Sequence, residues 1–80
     1  MKYIIMVDWY IEKHDDICIT EPRYFGLQTK FKIFVFQPEI TTDTVLFNSK
    51  KEAKEYIANH SMDETPIMYT NIRIEKYENK

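Results

Sequence analysis

Glycine is almost absent from this chain: Gly26 is the single one in 80 residues. One glycine cannot build the glycine-rich loops that cradle nucleotide phosphates. Cysteine is equally scarce. Cys18 alone cannot close an internal disulfide, which suits a reducing compartment. The two histidines, His14 and His60, lie far apart, and with one cysteine they supply no paired spacing for structural zinc. No acidic run followed by glycine makes a calcium loop. No apolar run approaches the ~20 residues of a membrane span, and the apolar stretch 3–7 is stopped by Asp8, too early for a secretory segment. Repeats, low-complexity tracts and linkers are missing as well. These absences predict one domain over residues 1–80, cytoplasmic, with no metal, no cofactor and no membrane contact.

An excess of positive charge is also lacking. Eleven basic against 13 acidic residues leave a net charge of −2 and a pI near 5.6. That is not the basic balance of a typical nucleic-acid-binding domain. It is equally too mild for a dense acidic surface imitating DNA.

What the chain does have is apolar strand material. A composition of 44% hydrophobic and 15% aromatic residues argues against disorder. Along residues 2–12, Tyr3, Ile5, Val7, Trp9 and Ile11 alternate with Lys2, Ile4, Met6, Asp8 and Tyr10, the period of a β-strand. Residues 30–37 repeat the pattern, with Phe31, Ile33 and Val35 against Lys32, Phe34 and Phe36. Shorter strands are predicted at 17–20, limited by Pro22, and at 44–47; a last strand runs over 67–77. Gly26 is expected to provide a positive φ for a turn. Ser49-Lys50-Lys51-Glu52 is a capping box opening a helix over 50–59, with Ala53, Tyr56, Ile57 and His60 on one face and Asn59 closing it. The predicted fold is α+β, in the order β-β-β-β-α-β: a mostly antiparallel sheet of four to five strands with one helix across one face. Its core should contain Ile5, Val7, Ile33, Val35, Tyr56, Ile57, Ile72 and Ile74.

No residue carries a catalytic signature. Ser49 is explained by capping. Cys18, between Ile17 and Ile19, reads as a half-buried small hydrophobe with acidic rather than electropositive neighbours. Asp8 is turned by alternation away from Val7 and Trp9, toward solvent. The expectation is therefore a non-catalytic protein.

The functional hint is surplus apolar surface. A helix of about ten residues is only ~15 Å long and cannot cover both faces of such a sheet. If it packs on Ile5, Val7 and Trp9, then Ile4, Met6, Tyr10, Phe34 and Phe36 line the other face. Segment 13–28, long for a connection, adds Tyr24, Phe25 and Leu27, residue types suited to contact. These eight form the predicted partner-binding set, for another protein or a second copy, unless segment 13–28 folds over the second face. The alternative is single-stranded nucleic acid, stacked on Phe34 and Phe36 beside Lys30 and Lys32.

The stretch Val45-Leu46-Phe47-Asn48-Ser49-Lys50-Lys51-Glu52-Ala53-Lys54-Glu55-Tyr56-Ile57 resembles a strand-then-capped-helix unit of small phage and bacterial proteins. With the size and glycine poverty, the chain is similar to phage or mobile-element inhibitors of host defence, the anti-CRISPR type among them. That resemblance implies a protein target, such as a nuclease or defence complex, and brings no site residue with it.

Overall fold

The alternating segments do form strands, and the capped segment does form the helix. A computed structural model describes residues 1–64 and 66–78, so Thr65, at the end of the expected polar connection 61–65, lies outside the described residues. The elements are β1 (Lys2–Lys13), β2 (Cys18–Gln28), β3 (Ile33–Gln37), α1 (Lys50–Asn59) and β4 (Tyr69–Tyr77). All neighbouring strands are antiparallel, in the order β3-β2-β1-β4. This is the α+β architecture expected, a four-stranded sheet with one helix.

Segment 13–28, expected to be a long connection with only a short strand at 17–20, is mostly strand. His14 and Ile17 exchange both backbone hydrogen bonds around Asp15-Asp16, a two-residue hairpin turn, and β2 then runs for 11 residues. Pro22 and Gly26 do not break it, for different reasons. Peptide groups alternate sides along a strand. Because Ile17 bonds toward β1, Pro22 turns its missing N–H toward the open edge, beyond the end of β3 at Tyr24↔Gln37. Gly26 has no positive φ; its lack of a side chain admits the Asp43 carbonyl, which would lie 2.8 Å from an added Cβ.

That close approach marks where segment 43–47 enters the sheet. The β1–β2 ladder stops at Met6↔Tyr24. Past it, Leu27 donates to the Asp43 carbonyl and Val45 to that of Phe25, while Tyr3 and Phe47 exchange hydrogen bonds at 2.8 Å. The expected strand at 44–47 is therefore a pair of isolated bridges, Gly26↔Thr44 and Tyr3↔Phe47, wedged between β1 and β2.

Ser49 caps α1, its Oγ accepting from the Glu52 amide at 3.1 Å. The chain leaves the helix through His60, and Ser61 rather than Asn59 takes the left-handed conformation, φ 52°. Ile5, Phe25 and Phe47 pack against Ala53 of α1, with Met62 at the margin, joined by Tyr3, Phe36, Val45, Tyr56, Ile57, Ile72 and Ile74. Val7 is also fully buried, Val35 half-buried, and Ile33, expected inside, is exposed. Ile33 fails because β3 presents its other side chains to the helix: Phe36 pairs with the buried Phe25.

At the far end the β1–β2 hairpin extends as an arm, residues 11–20 being exposed throughout, including Cys18, expected half-buried. The molecule accordingly measures 40 × 26 × 26 Å.

Candidate functional site: an aromatic groove beyond the helix

Strand β1 has 12 residues, about 40 Å of sheet, and α1 covers under half of that length. Where the helix ends, the same sheet face continues with Trp9, Phe36 and Tyr69. Their rings meet at 5.6 Å (Trp9–Phe36), 4.9 Å (Phe36–Tyr69) and 6.3 Å (Trp9–Tyr69). Phe34 and His60 form one rim, 5.7 Å apart, and His60 stacks on Tyr56 at 4.0 Å. Met62, Pro66 and Met68 form the other side of a hollow of about 330 Å³. Phe34 and Met68 stay half exposed at 49% and 51%.

A bulge brings Tyr69 into this groove. Met6 pairs with Arg73 but Asp8 with Thr70, so β4 has one residue more than β1 between these rungs. Asn71 absorbs it at φ 53°, a left-handed conformation that asparagine tolerates better than most residues. The extra residue reverses the alternation, so Tyr69 faces the helix side together with Ile72 and Ile74. Strict alternation over 67–77 would put Tyr69 on the opposite face. Asp8 secures the bulge: it accepts from Asn71 Nδ2 and from Arg73 Nη1, each at 3.0 Å. It is thus a paired group that keeps part of its exposure to solvent. The Asn71 hydrogen bond above all, with the Arg73 guanidinium, holds its carboxyl below its ordinary value of 3.8, against a partial desolvation. Tyr69 donates its hydroxyl to the Met62 carbonyl at 2.7 Å, and burial raises its pKa, with a smaller push from Asp63.

Among the described residues, the cation that lies against the groove floor is occupied. Arg23 lies 4.8 Å from the Trp9 ring, donates from Nε to Glu21 at 2.7 Å, and donates from Nη1 to the Phe36 carbonyl. Lys30 sits over its own neighbour Phe31, and Lys32 is in the β2–β3 turn, away from the groove. A second, more polar hollow of about 370 Å³ lies on the other side of Tyr69, between Tyr10, Lys13, Asp63 and Asn71. The aromatic groove differs from it in that its side chains converge on one apolar floor. Among the described residues, no group of histidine, cysteine and acidic side chains could hold a metal ion. No helix among them is long and apolar enough to cross a membrane.

Of the eight predicted contact residues, only Phe34 and Phe36 meet in the groove. They lie on the helix side, not opposite it, because the Phe25↔Phe36 pairing puts them on the face of Phe25 and Ile5. Phe25 is fully buried and cannot touch a partner; Ile4, at 3% exposure, is closed off as well. Leu27 pairs with Phe34 and is half-buried. Met6, Tyr10 and Tyr24, also half-buried, belong to the rest of the molecule. The opposite face carries Ile4, Met6 and Tyr24 together with the Asp8–Asn71–Arg73 network, and Phe34 and Phe36 are not part of it. Sequence reasoning missed Trp9, Met68 and Tyr69. The aromatic content was a signal for them, but the bulge that selects Tyr69 left only an unremarked Asn71. Comparison with protein-family models, curated proteins and solved structures finds no match for the chain.

Proposed function

We propose that this chain is a non-catalytic protein-binding module that receives a bulky apolar or aromatic side chain of a partner protein in the Trp9–Phe36–Tyr69 groove. The observation that carries this reading is the open aromatic floor flanked by exposed Phe34 and Met68. Aromatic and methionine side chains around a hollow are the composition of interface centres. Inhibition of a larger protein, as in the phage-encoded inhibitors the chain resembles, is the role we assign to that binding. Exposed Cys18 fits a reducing compartment, and we place the protein in the cytoplasm.

Single-stranded nucleic acid is the weaker alternative. Its stacking groups would be Phe34 and Phe36, but Lys30 and Lys32 lie outside the groove and Arg23 is neutralised by Glu21.

Peptide-display selection on the immobilised protein tests the reading. Selected peptides should share a large apolar anchor and lose at least about tenfold in affinity on Phe34→Ser. Retained affinity in that variant, or peptides without an apolar anchor, defeats the groove as the site. A titration with single-stranded DNA at low salt separates the alternative, because phosphate binding must weaken steeply as salt rises.

A further inference from the structure

Strand β4 is an edge of the sheet, and among the described residues nothing pairs with its outer side. We infer that a second copy of this chain pairs there, β4 to β4, antiparallel about a twofold axis through Ile74.

The backbone determines which groups are free. Tyr3 directs its N–H and carbonyl to Phe47, away from β4. By alternation Ile4 directs its own to β4, opposite Glu75, so Glu75 faces inward. The N–H and carbonyl of Ile74, the N–H of Lys76 and the carbonyl of Ile72 therefore point outward. Centring the axis on Ile74 pairs its amide with the carbonyl of its copy, in both directions. Each Lys76 amide then meets the partner's Ile72 carbonyl.

Charge selects this register over its neighbours. With Ile74 opposite itself, Arg73 stands across from the partner's Glu75, and Glu75 across from the partner's Arg73. Moving the axis one residue toward the N-terminus sets Arg73 against Arg73. One residue the other way sets Glu75 against Glu75. Like charges directly opposite are destabilising and opposite charges favourable. Glu75 is 52% exposed and already lies 3.6 Å from the Arg73 Nε of its own chain, while Arg73 Nη1 holds Asp8, so the partner's Glu75 adds a second carboxylate to a guanidinium fixed in place. The pairing also covers the half-buried side chains of Ile72 and Ile74. It closes as a dimer rather than propagating, because the same edge is used by both copies. Its twofold axis is normal to the sheet, so both helices and both aromatic grooves lie on one face of a continuous sheet.

A strand-edge dimer buries less than a standard interface, so a micromolar or weaker constant is expected. Sedimentation of the full chain from about 1 µM to 1 mM should show monomer passing to dimer. Lys76→Pro removes an amide that no monomer contact uses, and should raise the dimer Kd at least about 30-fold. Glu75→Arg should raise it about tenfold. Hydrogen exchange gives an answer without substitution: the Ile74 and Lys76 amides should become protected as concentration rises. A monomer throughout, open-ended oligomers, unchanged dimerisation in a folded Lys76→Pro variant, or concentration-independent exchange of both amides overturns the inference.

Discussion

Two halves of one sheet face are made from the same kinds of residue and end in different states. Under α1, Ile5, Phe25 and Phe47 are closed off at 0%, 0% and 3% exposure. Beyond α1, Trp9, Phe34 and Phe36 continue the same rows, yet a hollow of about 330 Å³ remains open above them. Neither hydrophobicity nor aromatic content separates the halves. Cover does: a helix of 10 residues lies over one half, and only the short connection carrying Met62, Pro66 and Met68 borders the other. An open groove can thus be the unroofed continuation of a core.

The sharpest way to break the comparison is to truncate one phenylalanine from each half. Phe25→Ala should cost about 3–5 kcal/mol, most of what a domain of this size has to lose, and urea titration should find it unfolded or nearly so. Phe34→Ala, half exposed at the rim, should cost about 1 kcal/mol. Equal losses would mean that the groove is ordinary core.

Next in size is Gly26→Ala, which probes how tightly the covered half is closed. The new Cβ would meet the Asp43 carbonyl at 2.8 Å and the Val35 side chain at 3.1 Å. Backbone must move, so a loss of about 2 kcal/mol in thermal or chemical unfolding is expected. A neutral result would show that segment 43–47 is not seated against β2.

The smallest effects sharpen the groove half, through the bulge that delivers Tyr69. Asn71→Ala removes the Asp8 contact and leaves a left-handed alanine, at about 1–2 kcal/mol, whereas Asn71→Gly should lose less. The same contact predicts a pH dependence. A carboxyl held below 3.8 stabilises the folded state above that pH, and the stabilisation fades as pH falls through the lower folded value. Unfolding measured from pH 6 down to pH 2 should therefore show a shallower acid limb in Asp8→Asn. An identical limb would remove Asp8 from the bulge's support.

Much of the fold was legible along the chain because its causes are local. Alternation in β1 as far as Tyr10, the Ser49 cap and the apolar helix face at Ala53, Tyr56 and Ile57 depend on near neighbours, and the structure keeps each of them; a register shift at Ile11 ends the first. The face of β3 was not legible. A strand read by itself offers Phe34 and Phe36 or Ile33 and Val35 as its inner row, and only the register Phe25↔Phe36 decides between them. Pro22 and Gly26 misled for a related reason. A missing N–H is harmless on an open edge and a missing side chain is required beneath a crossing backbone, and both circumstances are made by distant residues. The groove belongs to the same class. Composition supplied its aromatic rings; the length of α1 against β1 and the extra residue at Asn71 decided which of them remained uncovered, because burial is set by what lies across the sheet and not by the sequence beside it.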